Sequence, residues 1–159
     1  MWRKLFAVLI FLWASASYGQ QIKKMTIGDL ENYISKSEKP LVINFWATYC
    51  LPCIEEIPHF QSTIQVNFKN KIELILVSLD LPDYYPAKIS SVVSKKNFSA
   101  PIVWLNEADA DYSCPRIDSS WSGAIPATLM VNNKKNYRRF YEQQLTKSEF
   151  LKEAEGMMR

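Results

Sequence analysis

Three cysteines and one histidine are all the thiol and imidazole ligands that 159 residues offer. A closed tetrahedral zinc site wants four such ligands, and a second Cys-x-x-Cys pair is missing, which argues against a structural zinc module. Glycine is scarce at 4 residues and proline stands at 8, a composition that argues against low complexity and disorder. Charge of one sign is lacking as well. The formal balance is +3, and once Arg3 and Lys4 are set aside 17 basic residues face 16 acidic ones. Such a balance carries no footprint for nucleic acid or for an anionic membrane surface. Lys134, Lys135, Arg138 and Arg139 cluster, but on an expected hairpin, where they read as a solvated turn. The apolar run Leu5 to Ala14 is ten residues long, short of the roughly 20 that span a bilayer. No internal repeat and no second domain is visible.

What is present suits one globular domain: 48% of the residues are hydrophobic and 13% aromatic, enough for a real core. The start reads as a secretory signal. Arg3 and Lys4 supply the positive end, the apolar run follows, and Ala14, Ser15, Ala16 and Ser17 are small. Cleavage after Ala16 or after Gly19 fits, so residues 1–19 are expected to be a signal peptide and residues 20–159 the working domain. An uncleaved anchor is the competing reading. The twin-arginine pattern is absent, and no cysteine follows the run to carry a lipid. The expected location is exported, periplasmic or otherwise extracytoplasmic, where disulfide chemistry can proceed.

Along the chain, Thr26 and Asp29 mark the start of a short helix with Leu30, Tyr33 and Ile34 on its apolar face. Pro40 closes it off. Leu41 to Ala47 is apolar except for Asn44, as expected of a central strand covered on both faces. Ile54, Ile57, Phe60 and Ile64 then recur at helical spacing towards Asn67, with Pro58 predicting a kink. Ile72 to Leu79 is a second buried strand. A helix begins near Pro86 with Ile89, Val92 and Val93 inward, and Ala100 to Leu105 is a further strand. Residues 106–120 are polar and read as loop with at most one helical turn. Ala127 to Val131 and Tyr137 to Tyr141 form a hairpin. Thr146 to Glu149 is a capping box that opens the last helix.

The stretch with chemistry is Phe45-Trp46-Ala47-Thr48-Tyr49-Cys50-Leu51-Pro52-Cys53. A strand that turns directly into a helix leaves Cys50 at the helix N-terminus. There, free backbone N–H groups and the positive end of the helix dipole stabilise a thiolate. Cys50 is therefore the expected nucleophile. Cys53, one turn further in, is the expected resolving thiol. Pro52 is tolerated in the first turn and stiffens the ring between the sulfurs, and Leu51 adds an apolar contact. Two other readings of the pair stand open. A permanent disulfide over so short a loop would stabilise little, and a two-thiolate copper(I) site is compatible with two sulfurs. His59, just past Pro58, reads as a surface residue.

With these residues, the segment resembles the thioredoxin-like superfamily, and more narrowly the TlpA/ResA-type exported thiol-disulfide oxidoreductases. Phe45-Trp46-Ala47-Thr48, Cys50-Leu51-Pro52-Cys53, Glu56 and Pro58 carry the likeness, which runs from about Leu41 to the C-terminus. Asn44 fits too, standing where cytoplasmic thioredoxins have a buried aspartate. The resemblance implies an α/β thioredoxin-like fold, a central mixed sheet with helices on both faces. It implies a cis peptide bond before Pro126 in Ile125-Pro126-Ala127-Thr128, facing the cysteines and pairing with substrate backbone. Trp46, Leu51, Pro52, Ile125 and Pro126 are then the expected substrate contacts. Glu56 joins the catalytic set as a carboxylate that tunes the thiols, its bland reading being a solvated helix face.

There are departures from the pattern. Tyr49 stands where tryptophan is usual, Ala127 where threonine or serine is common, and Cys114 has no counterpart. Cys114 is expected to be buried and inert, with pairing to another chain and an auxiliary redox role as the alternatives. The implied function is disulfide exchange with exported proteins in the reducing direction, as a monomer with no cofactor, recharged by a membrane-bound electron donor. A dithiol oxidase, a copper(I)-binding chaperone and a thiol peroxidase are the alternatives. The Pro-x-x-x-Thr pattern of peroxidatic sites is not found.

Overall fold

The computed structural model describes residues 21–159. The expected signal segment, residues 1–19, lies outside the described residues. Six strands, β1 (Lys23–Met25), β2 (Leu41–Trp46), β3 (Glu73–Ser78), β4 (Ile102–Leu105), β5 (Ala127–Asn132) and β6 (Tyr137–Tyr141), form one sheet in the order β1-β4-β3-β2-β5-β6. The first four are parallel. β5 runs antiparallel to β2, and β6 antiparallel to β5. The expected mixed sheet and terminal hairpin are therefore both present. Five helices cover it: α1 (Ile27–Lys36), α2 (Leu51–Thr63), α3 (Ala87–Lys96), α4 (Ala110–Ile117) and α5 (Lys147–Met158).

The burial pattern explains the layers. All six residues of β2 are buried, so alternate side chains serve opposite faces. Val42 and Trp46 join the core that holds Phe60 of α2, Ile89 of α3 and Phe150 of α5. Leu41, Ile43 and Phe45 join the other core, with Leu30 of α1 and Ile117 of α4. Phe60 and Phe150 stack with ring centroids 4.0 Å apart and tie α2 to α5. The capping boxes at Thr26 and Thr146 both form, each hydroxyl accepting the N–H three residues on.

The structure corrects three details. Residues 110–117 make an eight-residue helix, more than the single turn expected. Asp109 starts it by accepting the Tyr112 N–H at 3.1 Å, and Ser113, Cys114 and Ile117 bury its inner face. The short edge strand β1 was not anticipated. Two of its three residues are exposed lysines, so no apolar pattern marks it. Helix α2 runs through Pro58 and ends at Thr63. The chain then widens into one π turn, Ile64–Phe68, closed by Lys69 and Asn70 at positive φ.

Candidate active site

The site sits where β2 turns into α2. Leu79 donates its N–H to the Trp46 carbonyl at 2.8 Å, which extends the β2–β3 pairing one step past the strand. Ala47-Thr48-Tyr49 then makes the turn, closed by the Cys50 N–H to the Ala47 carbonyl at 3.0 Å. Asp80, at the end of β3, holds this turn from the side. Its carboxylate accepts the Thr48 N–H at 3.0 Å, the Thr48 hydroxyl at 2.6 Å and the Ser78 hydroxyl at 2.8 Å. Asp80 is itself buried, so these hydrogen bonds replace the water it lost.

Cys50 is the N-cap of α2, and its sulfur accepts the Cys53 N–H at 3.3 Å. The two cysteines are joined as a disulfide. Cys50 is 8% exposed and Cys53 fully buried, so an attacking group reaches Cys50 first. Tyr49 and Leu51, 65% and 61% exposed, flank Cys50 as bare apolar surface. Pro52 is exposed, and its carbonyl accepts from the Gln144 side chain at 3.2 Å. The Ile125–Pro126 bond is cis. Phe45 pairs with Ala127 across the β2–β5 ladder, and the antiparallel register carries Pro126 to the same sheet end as the cysteine turn. Ile125 is half-buried there and Pro126 buried.

Trp46 departs from its expected role as a substrate contact. It is fully buried and meets Phe98 edge-on at 5.5 Å. As the last residue of β2 it points to the α2 side of the sheet, and so braces the cysteines from within.

Glu56 is not on a solvated helix face. It is fully buried. One carboxylate oxygen accepts the Asn44 amide at 2.8 Å, and the other accepts the Leu145 N–H at 2.9 Å. Asn44 also donates to the Thr128 hydroxyl at 3.1 Å. Burial pushes the Glu56 carboxyl up to about 7, and the Leu145 and Asn44 hydrogen bonds only partly offset that. Glu56 lies three residues, about one turn, after Cys53, so both project from neighbouring parts of one buried face.

Cys114 is free and buried on α4, as expected. Burial raises its thiol above the ordinary range, and the Glu142 and Asp111 carboxylates add to that. His59 is exposed. Among the described residues no three His, Cys, Asp or Glu side chains converge as a metal site. Sequence reasoning missed Asp80, Thr128 and Glu142. Glu142 accepts the Ser122 N–H at 3.0 Å, the Ser122 hydroxyl, and the Ala124 N–H at 2.9 Å. It thereby shapes the loop that leads into Pro126. Thr128 stands in the Ile125-Pro126-Ala127-Thr128 motif, but its link to Asn44 across the sheet leaves no sequence signal, and Asp80 and Glu142 carry no local motif at all.

A parallel-centred sheet with a terminal antiparallel hairpin, and a Cys-x-x-Cys pair at a helix N-terminus opposite a cis-proline loop, define a protein of thioredoxin-like fold. The model of the AhpC/TSA family matches residues 16–139, and the chain belongs to that family. It is 29% identical over 121 residues to a thiol-disulfide oxidoreductase ResA of Halalkalibacterium halodurans, covering 74% of this chain and 64% of that protein. It is 25% identical over 111 residues to a chloroplastic thioredoxin Y of Oryza sativa, covering 70% of this chain and 58% of that one. The chain thus spans less than two thirds of the length of either relative. Among solved structures, a thioredoxin-related protein of Neisseria meningitidis matches with a TM-score of 0.61 at 21% identity, over 76% of this chain and 87% of that one.

Proposed function

We propose that the protein is a thiol-disulfide oxidoreductase that reduces disulfides in exported proteins. The observation that carries this reading is the asymmetric pair, with Cys50 at the surface end of α2 and Cys53 sealed beneath it. The name of the ResA relative supports it. In the cycle, the Cys50 thiolate attacks one sulfur of a substrate disulfide and the other substrate sulfur leaves as a thiolate. Cys53 then attacks the Cys50 sulfur and expels the second substrate thiolate. Two electrons pass to the substrate, and the protein ends as the Cys50–Cys53 disulfide.

Glu56 is suited to the proton side of this cycle. Cys53 must lose a proton to attack, and a carboxyl titrating near neutrality can take one up. We read the pair in the reducing direction, in which each turnover ends as the buried Cys50–Cys53 disulfide that the structure holds. Exposed Leu51 and Pro52, together with Ile125 and Pro126, are the substrate contacts in this reading. Export through residues 1–19 and recharging by a membrane-bound donor complete it.

The test is disulfide reduction of a model protein substrate by the reduced enzyme. Cys50→Ala is expected to abolish turnover and Cys114→Ala to leave it intact. Equal loss in both variants would sink the assignment.

A further inference from the structure

A cavity of about 450 Å³ opens at the carboxyl ends of β2, β3 and β4. Tyr49, Leu81, Trp104, Trp121 and Ile125 form its apolar walls. Tyr49 immediately precedes Cys50 and Ile125 immediately precedes Pro126, so the cavity shares its rim with the redox site. Leu81 is 64% exposed beside it. Of the wall residues only Tyr49 and Leu81 stand exposed, at the mouth, while Trp104 and Trp121 are buried behind them. Exposed apolar side chains at the mouth of a concavity mark a place where something apolar docks.

The charge of the cavity is one-sided. Its lining holds the carboxylates of Asp80 and Glu107, and no lysine, arginine or histidine. Asp80 is used up by Thr48 and Ser78, whereas Glu107 makes no hydrogen bond among the described residues. Asp109 and Asp111 follow at the start of α4 and extend the negative edge. Against these four carboxylates stand two cations: Arg116 of α4, which pairs with Glu31 and also acts through space on Glu107, and Lys24, which lies over the Trp104 ring at 5.2 Å. An approaching ligand therefore meets apolar walls under a net negative rim.

We propose that this cavity is a specificity pocket for polypeptide substrates, taking an aromatic or branched apolar side chain near the substrate cysteine and selecting, through its acidic rim, a lysine or arginine beside it. The proposal rests on the oxidoreductase reading. It commits to a polypeptide because the cavity continues directly into the surface that a chain must cross to bring its sulfur to Cys50. The volume accepts a large apolar side chain together with the methylene stem of a neighbouring cation.

The test uses the reduced protein and three short peptides, each with one cysteine held as a mixed disulfide with thionitrobenzoate. One peptide carries an aromatic residue and an arginine near the cysteine, the second an aromatic residue and a glutamate, the third glycines only. Cys50 attacks the peptide sulfur, the S–S bond breaks, and coloured thionitrobenzoate leaves with the electron pair. Rates are normalised to those with free dithiothreitol, which removes differences in peptide reactivity. The arginine peptide is expected to react about tenfold faster than either of the others. Its advantage over the glutamate peptide should shrink in Glu107→Gln, and its advantage over the glycine peptide in Leu81→Ser. Three equal rates, or an advantage unchanged in both variants, would overturn the proposal. A reduced protein that reacts neither with the peptides nor with hydroxyethyl disulfide would instead overturn the oxidoreductase reading beneath it.

Discussion

Replacing Glu56 with glutamine should change how stability depends on pH, and the structure sets the size. The carboxyl is fully buried and its pKa is pushed up to about 7, against about 4.3 for a free glutamate in the unfolded chain. A group whose folded pKa is raised contributes stability that is fully present below the unfolded pKa and lost as pH rises through the folded pKa. Between pH 4 and pH 8 the native protein should therefore lose about 3 kcal/mol from this one residue, since a tenfold change in proton affinity is worth about 1.4 kcal/mol. Glutamine has no proton to lose. Its carbonyl can still accept the Leu145 N–H, while its amide takes the place of the oxygen that accepts from Asn44 Nδ2. The Asn44 side chain must therefore turn to present its Oδ1, which is buried without a partner among the described residues. Urea unfolding of the oxidised proteins, with the disulfide intact and no titrating thiol in the pair, should give similar stabilities near pH 4. The variant should then lead by about 3 kcal/mol near pH 8. Two curves that stay parallel from pH 4 to pH 8 would refute the claim that Glu56 titrates near neutrality inside the fold.

Asp80→Ala should cost about 2 kcal/mol, because it leaves the Thr48 N–H and two hydroxyls without their shared acceptor. It should also slow exchange at Cys50, and unfolding curves read beside rates with a small disulfide check both effects. Glu142→Ala should free the loop before Pro126, so hydrogen exchange at the Ser122 and Ala124 amides should speed up while that of the β2 amides stays slow. Unchanged protection at Ser122 and Ala124 would show that the loop holds its shape without the carboxylate.

The redox pair was legible because its signals are local. A run of buried residues, a turn and a helix start place Cys50 and Cys53 by chain geometry alone. The central strands β2 and β3 were legible for the same reason, being apolar on both faces. What escaped the sequence depends on partners far along the chain. Glu56 stands out only through the family resemblance. By its own pattern it is a helix-surface acid beside Glu55, and what buries it comes from elsewhere in the chain, Asn44 in β2 and Leu145, 89 residues away. Trp46 stands four residues before Cys50 and invites a role in substrate contact. Its parity in β2 decides otherwise, since it shares a face with Val42 and packs inward. Helix α4 escaped because its polar half hides a short buried stripe, and Asp109, Asp111 and Pro115 read as loop residues when taken singly.

The central claim is that Cys50 and Cys53 form a reducing pair. Its most direct test is the equilibrium reduction potential of that pair in the full protein, read by thiol trapping across a series of dithiothreitol buffers. The account predicts a value near that of thioredoxin, about −270 mV. A value near about −120 mV, that of a strong disulfide donor, would contradict it, as would a pair that fails to equilibrate with the buffer at all.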